Sequence, residues 1–526
     1  MGLFEIGEYY PHPLHEERIE RYRTNRRLFM GDHYSIFEKK AQLLSGRQAN
    51  LLYISTNIAG LICKKSADFL FGETPVFSAG SSDNTPEQKA LERIVADNDL
   101  NITNYETALG NAYRGDSFYK IRWGQRFGGM LPEELDPYQV IIEAQNPEYV
   151  FPETSPTDGN TIIAYHIAYP QVVVTDNSQR LSLNPTTWFN RNRGEMNSGE
   201  EWILNVESHY PGLIRYAQYR MNPVNYEAGR NEVKQWKIYA EITSARREVE
   251  TGVPFPLVVH VPNYSTDDYW EGIDDLTEHH GIFDEINNRL SKIAEILDKH
   301  SDPAMAVPQG SLDEDENGQP IFHAGRDKIF EVMDKSEVIP QYITWNGQLD
   351  AAFKELDKLI DLLLMNTEIP PVALGKDNSG TSGASGLSIK WRMNSLLAKI
   401  NRKRQYYDKG LKRVLYIAQL LEHAQSNEKL DYKPTIPLIK FKDGLPDDEL
   451  EQSNIAQIQT GGKPTISQLT AIMRLHGYTE EQARQELERI REEEKADSLA
   501  DPSVFNEPQG VPAVDDNSGG GDITDG

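Results

Sequence analysis

The sequence predicts an α+β fold, and three observations support that prediction. Residues before about 115 show helical patterns, residues from roughly 117 to 262 form short runs rich in aromatic and β-branched side chains, and helical patterns return afterwards. Helices followed by a block of strands are typical of α+β domains, whereas α/β domains alternate the two. The 526 residues are enough for several domains or for one elongated subunit with several parts.

Local signals place the elements of the first half. Gly72 and Pro75 end one helix, because glycine favours the end of a helix and proline cannot continue it. The helices predicted here span residues 14–30, 55–71, 86–97 and 105–113. The strands predicted after them span residues 117–123, 161–167, 201–206, 213–219 and 233–242. Polar stretches between these strands indicate antiparallel connections.

Two helices in the second half have a narrow apolar seam at steps of three and four residues. Each seam is about 15 residues long, and a seam this narrow is suited to packing against a neighbouring subunit. Its members are Phe283, Ile286, Leu290, Ile293 and Leu297 in the first helix, and Leu349, Phe353, Leu356, Ile360 and Leu363 in the second. Between the helices, residues 301–345 form a compact insert in which Asn317-Gly318 predicts a hairpin turn.

A loop of small residues, Gly375 to Gly386, leads into a helical pattern that continues to about Gln425. Such loops are often plain linkers, but linkers between helices rarely need this length, so a functional loop is the other interpretation. At 1.5 Å per residue the helix is about 57 Å long, and Gly410 is a possible bend. The basic residues predicted opposite its apolar stripe are Arg392, Lys399, Arg402, Lys409, Lys412 and Arg413. They form a solvated face, pair with acids such as those of residues 447–495, or contact phosphates.

The last part of the chain is acidic. A strand is predicted at residues 435–441 and helices over 447–495, whereas residues 497–526 contain no Lys or Arg and should be disordered. The formal net charge of the whole chain is −27, which argues against a tight, sequence-reading DNA binder because such proteins concentrate Lys and Arg. Two other interpretations of the charge are that it serves solubility alone, or that the chain contacts DNA weakly so that the DNA can slide.

Composition also limits the compartment. The single cysteine, Cys63, excludes a disulfide framework within the chain and favours a reducing environment. No apolar run approaches the ~20 residues that cross a bilayer, and the N-terminus has no signal-peptide pattern. We therefore expect a soluble, intracellular protein that makes no contact with a membrane.

Three look-alikes of functional motifs fail on their spacing. Gly461 to Thr465 lacks the first glycine of a phosphate loop and has Pro464 where Ser or Thr is needed. Asp313 to Gly318 begins like a calcium loop, but Ala324 stands where the bidentate glutamate belongs. His279 and His280 are adjacent and point in different directions on a helix, so they do not share a metal easily. We expect no enzyme activity and no cofactor.

The order of elements and several local motifs resemble the portal proteins of tailed bacteriophages, particularly those of long-tailed siphophages. The resemblance extends over about residues 15–440. It rests on the stretches Leu70 to Val76, Tyr105 to Asp116, Gly272 to Asn287 and Ile369 to Leu387, and on the spacing of Lys399, Lys403, Tyr407 and Leu411. One departure is Ile273, because the family often has a serine before the residue that corresponds to Asp274; the helix cap is therefore open.

The resemblance implies a ring, usually of twelve subunits, at one vertex of the procapsid. It implies a wing (residues 1–275), a stem of two helices (276–300 and 346–368), a clip (301–345), a tunnel loop (369–386), a long helix and wing strand (387–446), a crown (447–496) and a tail (497–526). The implied partners are double-stranded DNA in the channel, the terminase, the head–tail adaptor, and the major capsid and scaffolding proteins. The implied location is the virion, after assembly in the host cytoplasm.

The same resemblance implies two sets of site residues besides the stem seam. The residues of the tunnel loop near DNA are Lys376, Asp377, Asn378, Ser379, Gly380, Thr381, Ser382, Gly383, Ala384 and Ser385. The residues of the clip that bind partners are Asp313, Asp315, Asn317, Gly318 and Phe322. We expect most of the basic helix to lie behind the channel wall, paired with acids, with at most Lys376 near the DNA. Two alternatives stay open: a nucleotide-hydrolysing enzyme, and a cytoplasmic helical scaffold or adaptor without a DNA channel.

Overall fold

The computed structural model describes residues 3–37, 53–80, 84–174, 200–226, 233–301, 304–308, 329–332, 341–343, 349–375, 390–427, 429–442, 444, 449–461, 464–476, 478 and 480–499. The chain divides into two compact units, residues 1–445 and 446–526. Helices and strands are mixed in the first unit, while the described part of the second is helical. The predicted α+β class is thus confirmed at this coarse level.

The predicted helices form close to their expected positions, except that the helix predicted at residues 105–113 begins at Leu100 and the one predicted from residue 387 begins at Asn394. In the first unit the helices are α1 (Glu16–Phe29), α2 (Ile58–Phe71), α3 (Pro86–Asp97), α4 (Leu100–Arg114), α5 (His280–Ser301), α6 (Leu349–Asn366) and α7 (Asn394–Gln425). Helix α2 begins three residues later than residue 55 because Asn57 caps it, its side-chain oxygen accepting from the Gly60 amide at 2.9 Å.

Fifteen strands are described. They are β1 (Tyr9–Tyr10), β2 (Val76–Ser78), β3 (Asp116–Gly124), β4 (Gln139–Gln145), β5 (Val150–Ser155), β6 (Asp158–Val174), β7 (Glu200–Tyr210), β8 (Leu213–Tyr226), β9 (Val233–Glu241), β10 (Arg247–Glu250), β11 (Val258–Pro262), β12 (Ala304–Pro308), β13 (Ile329–Val332), β14 (Gln341–Ile343) and β15 (Leu438–Lys440). The five predicted strands are confirmed as β3, β6, β7, β8 and β9, and several are longer than predicted.

The strands form four sheets. The largest has seven strands in the order β1-β9-β8-β7-β6-β5, with β10 paired to β8, and all of its ladders are antiparallel. A second sheet has the order β11-β3-β4. A small sheet, β13-β12-β14, lies between α5 and α6 in the chain, and β15 pairs with β2 as a two-stranded ribbon.

Helix α7 is central to the first unit. Its buried side chains pack in the main hydrophobic core, together with residues of the β11-β3-β4 sheet and of helices α2, α5 and α6. The helix continues without interruption through Gly410, so the sequence-based expectation of a bend there is wrong. A Cβ at Gly410 would lie 2.4 Å from Cγ2 of Val261, so the glycine lets α7 approach strand β11 closely.

Helices α5 and α6 pack side by side. Phe283, Ile286 and Ile293 of α5 and Leu356 and Leu363 of α6 are buried in the main core. An ion pair also joins the two helices, with Arg289 Nη2 3.0 Å from Glu355 Oε1.

The second unit contains three described helices, α8 (Glu449–Thr460), α9 (Gln468–His476) and α10 (Glu480–Leu499). They confirm the helical prediction for residues 447–495, and the segment around Gly461 lies between α8 and α9. Residues 500–526, which include most of the predicted disordered tail, lie outside the described residues.

Candidate functional site

A buried carboxylate, Asp275, lies where several segments of the first unit meet. Its side chain is 1% exposed. Oδ2 accepts hydrogen bonds from Lys403 Nζ at 2.5 Å and from Ser66 Oγ at 2.9 Å. Oδ1 accepts one from Asn263 Nδ2 at 3.1 Å and lies 3.4 Å from Lys399 Nζ. We call Asp275, Lys399 and Lys403 the ion-pair junction.

The two lysines reach Asp275 because they lie four residues apart on one face of α7. That face is the apolar one, since Leu396, Ile400 and Tyr407 beside them are also buried. The prediction that placed Lys399 opposite the apolar stripe is therefore wrong. Its long aliphatic stem continues the buried stripe and only its ammonium group needs a polar partner.

The ion-pair junction also contacts both ends of the segment that connects α6 to α7. Lys399 Nζ donates to the backbone oxygen of Thr367, just after α6, at 3.0 Å. Arg402 pairs with Glu368 at 2.6 Å. Thr367 and Lys399 therefore lie near the same carboxylate, and the chain between them contains further core residues, Ile369, Met393 and Leu396. The predicted tunnel loop, residues 376–385, belongs to this segment.

The chain direction at Asp275 is fixed by its neighbour. Asp274 Oδ1 accepts from the backbone amides of Leu276 at 2.8 Å and Thr277 at 2.7 Å, which caps the turn that leads into α5. The presence of Ile273 therefore does not remove the cap that the sequence left open. Asp274 turns the chain into the helix while Asp275 faces the core.

Electrostatics hold Asp275 in its charged form. Burial alone would raise the pKa of Asp275, but the two ammonium groups and the hydrogen bonds from Lys403 and Ser66 hold that pKa well below its usual range. Burial lowers the pKa of Lys403 to about 8, against the opposing effect of Asp275. All members of the junction are shielded from solvent, so the arrangement is suited to joining segments and not to reacting with a substrate.

A second buried cluster centres on Asp116, the first residue of β3. Its Oδ1 contacts His260 Nε2 at 2.7 Å and accepts from the Gly272 amide at 2.8 Å, and Oδ2 accepts from Tyr22 Oη at 2.5 Å. Burial would raise the pKa of Asp116, but these contacts lower it. The Tyr22 hydroxyl is the group of this cluster that could act as a nucleophile. Burial raises its pKa far above the usual value, which keeps the hydroxyl protonated and so a weak nucleophile. The cluster joins α1, β3 and β11.

Several basic side chains of α7 turn inward or form contacts within the first unit, while their position behind a channel wall stays a prediction. Besides the junction and Arg402, Lys412 pairs with Asp408 at 2.6 Å. Arg404 donates to the backbone oxygen of Phe69 at 3.1 Å, and the Arg413 guanidinium lies 5.5 Å from the centre of the Phe255 ring. The acids in the pairs named here, Asp275, Glu368 and Asp408, all belong to the first unit.

The ten residues of the predicted stem seam differ in exposure. Phe283, Ile286, Ile293, Leu356 and Leu363 are buried within the single chain, and Leu290, Leu349 and Ile360 are partly buried. Only Leu297 and Phe353 are exposed, at 47% and 45%. The surface that this seam could offer to a second subunit is therefore narrower than the pattern alone indicates.

The two other predicted site sets lie outside the described residues. They are the DNA-proximal loop, residues 376–385, and the partner-binding residues Asp313, Asp315, Asn317, Gly318 and Phe322. Within the described ranges, no group of three or more His, Cys, Asp or Glu side chains is arranged to hold a metal ion. None of the helices that the structure describes is long and apolar enough to span a membrane.

Sequence reasoning missed the ion-pair junction, although a signal for it was present. Lys399 and Lys403 interrupt the apolar stripe of α7 between Leu396 and Tyr407. Two lysines in a buried stripe require a buried anion, because an unpaired charge is costly in the core. The sequence does not say which of its 81 acidic residues supplies that anion, and the fold selects Asp275.

The described part of the first unit consists of helices and β-sheets joined by two buried polar clusters, around Asp275 and around Asp116. The comparison with protein families names the class of protein. The chain belongs to the family of phage portal proteins, SPP1 Gp6-like, whose profile matches residues 12–499. This family is structural and not enzymatic. A search of curated proteins found no match.

Proposed function

We propose that the chain forms a portal ring at one vertex of a phage capsid and serves as the conduit through which DNA is packaged and ejected. The observation that carries this proposal is the family match over residues 12–499. We propose further that the ring contains twelve subunits and docks the terminase and later the head-completion and tail-connector proteins. The major capsid and scaffolding proteins surround it, and assembly takes place in the host cytoplasm.

The order of elements supports an assignment of parts. Helix α5, a small sheet, helix α6 and the long helix α7 follow one another as a stem, clip and stem followed by a long helix would. We assign residues 1–275 to the wing, 276–300 and 346–368 to the stem, 301–345 to the clip, 369–386 to the tunnel loop, 387–446 to the long helix and wing strand, and 447–496 to the crown.

Exposed apolar side chains on the stem helices support a ring. In the single chain, four large apolar side chains of these helices are exposed to solvent: Leu297, Phe353, Leu362 and Met365. Clusters of such residues mark surfaces that another molecule covers. In a closed ring each subunit has the same two neighbours, so a modest patch is repeated at every interface.

The charge of the chain supports a channel through which DNA can slide. Each phosphate paired with Lys or Arg strengthens binding and makes it salt-dependent. Here the net charge is −27, and several basic residues of α7 are engaged within the chain. Weak attraction to phosphates would let DNA move in either direction without being held at one position.

Particle size and shape test the ring. Light scattering and negative-stain images of the purified chain should show a particle several times the 59.7 kDa of one chain, with a central opening. A monomer, or a closed assembly without an opening, would refute the proposal and favour the alternative of a helical scaffold or adaptor without a DNA channel.

The loop assignment needs a separate test. Deleting residues 376–386 should leave the ring intact and reduce the amount of nuclease-protected DNA in the capsid. The matched control is a deletion of the same length from the C-terminal tail, residues 516–526. If the loop deletion packages and retains as much DNA as this control, the assignment of the tunnel loop is incorrect.

A further inference from the structure

The loop between β3 and β4, residues 125–138, exposes a cluster of large apolar side chains. Met130 is 88% exposed and Leu135 is 73% exposed. The other members of the cluster are Phe127, Leu131 and Tyr138. Surface apolar residues scattered singly are ordinary, but five within fourteen residues of one loop indicate a surface that another molecule covers.

This loop has a defined conformation. The buried side chain of Asp136 accepts from the amides of Arg126 at 2.9 Å and Phe127 at 2.8 Å. Gln125 Nε2 donates to the Asp136 backbone oxygen at 2.9 Å. The side chain of Arg126 also donates to the backbone oxygen of Asp97, the last residue of α3. The apolar cluster is therefore displayed from a braced loop, which limits the entropy lost on docking.

A second exposed apolar surface lies on the β2–β15 ribbon. The register pairs Val76 with Lys440 and Ser78 with Leu438, which places these four side chains on one face. Val76 and Leu438 are more than half exposed there, as is the adjacent Ile436. The opposite face is in the core, where Phe77 is buried.

The loop and the ribbon are anchored at opposite ends of helix α3. At its start, the Gln88 side chain bonds the Phe77 backbone oxygen at 3.1 Å and the Ala79 amide at 2.7 Å. At its end, Asp97 receives Arg126 of the loop. The helix has twelve residues and is about 18 Å long. The two surfaces are therefore distinct, as the two halves of a head-to-tail interface must be.

We propose that the 125–138 loop of one subunit docks on the β2–β15 ribbon of a second copy of this chain, its neighbour in the ring. This inference rests on the proposed portal function, which requires a head-to-tail interface. The charges are complementary, because the loop carries exposed Glu133 and Glu134 while the ribbon region carries exposed Lys433 and Lys440. Apolar contact supplies burial and the charges select the orientation.

Site-directed cross-linking of the full chain tests this contact. Cys63 is buried, so newly introduced cysteines are the reactive ones. The variant with Met130→Cys and Leu438→Cys, treated with a flexible bismaleimide, should give a denaturation-resistant ladder of covalent multimers. The control pair, Met130→Cys with Leu14→Cys, uses a second position that is at least as exposed as Leu438 and should give at most a trace of such a ladder.

A charge exchange provides the second measurement. Replacing Glu133 and Glu134 by Lys should lower the ring fraction several-fold at low salt, and adding Lys433→Glu and Lys440→Glu should restore it. Rings that form normally but give no ladder above the control, or that ignore the charge exchange, overturn this inference and leave the portal function standing. Wild-type chains that form no ring overturn both.

Discussion

Replacing Asp275 by Asn should destabilise the first unit by about 3–5 kcal/mol, the range for removing one partner of a buried ion pair. The lysine nitrogens lie 2.5 Å and 3.4 Å from the carboxylate oxygens. At an effective dielectric constant of ~20, each such contact contributes about 5–7 kcal/mol of attraction. The desolvation of Asp275, which the substitution removes, offsets several kcal/mol of this sum. Two ammonium groups would then share a core site without a counter-charge.

The loss should also depend on pH. In the wild-type chain the folded-state pKa of Lys403 is about 8, below its ordinary value of 10.5. Without Asp275 this pKa should fall further. Between this lowered folded-state pKa of Lys403 and its unfolded-state pKa of about 10.5, the unfolded chain binds more protons than the folded chain. The free energy of unfolding therefore rises with pH across that window. The variant should therefore recover part of its deficit when the pH is raised from 7 to 9.

Urea titration read by hydrogen–deuterium exchange of α7 peptides measures the effect, because a chain with several parts has no single two-state transition. The control variant, Glu248→Gln, breaks an exposed pair with Arg215 at 2.8 Å and should cost less than about 1 kcal/mol. Removing all three charges together, as in the triple variant Asp275→Leu, Lys399→Met, Lys403→Met, would not measure the cost of leaving the lysines unpaired. Replacing every member of a buried ion pair by an apolar residue is often neutral. A deficit for Asp275→Asn no larger than that of the control would refute the reasoning.

Two further predictions concern packing and acid stability. Gly410→Ala should destabilise the chain by about 1–3 kcal/mol through overpacking, although alanine favours helices by ~1 kcal/mol. Thermal unfolding measures this loss, and adding Val261→Ala should relieve it, because the new Cβ would lie 2.4 Å from that side chain. Burial alone would raise the pKa of Glu207, but the His209 ring and Lys120 lower it to about 2. Because this folded-state pKa is depressed, its stabilisation should be lost as the pH falls from about 4.5 to about 2. The difference in the free energy of unfolding between the wild type and Glu207→Gln should therefore shrink by about 3 kcal/mol as the pH falls across that window. Urea titrations at several pH values measure this difference.

Each of these two has a contrary outcome. A Gly410→Ala chain as stable as the wild type would mean that α7 can move away from β11 without cost. A difference between wild type and Glu207→Gln that stays constant from pH 7 to pH 2 would mean that Glu207 has an ordinary pKa in the folded chain.

Helix positions were largely predictable because their signals are local. Pro86 after Thr85 starts α3 where expected, and the pair Pro370-Pro371 excludes any extension of α6. Strands β6 and β8 were predicted too short, because alternation fades where both faces of a long strand carry aromatic and polar side chains.

The site was less predictable than the fold. An apolar stripe on α7 was predicted, but Lys399 was assigned to the opposite side because it is charged, although at 100° per residue it lies only about 60° from the buried Leu396. Its partner Asp275 is 124 positions away in sequence, and only tertiary structure brings the two together. The role of Gly410 could not be predicted from the sequence for the same reason, because it depends on the close approach of strand β11 to α7.

The ion-pair junction has a consequence for how the chain tolerates change. Thr367 and Lys399 are held side by side, and Ile369 and Met393 between them are buried in the core, so the chain is fixed on both sides of residues 376–389 and closes them into a loop. Doubling the length of such a loop costs only about 0.6 kcal/mol of closure entropy. Insertions and exchanges within residues 376–389 should therefore leave the rest of the subunit folded. The core beside this segment therefore places few constraints on its length and chemistry.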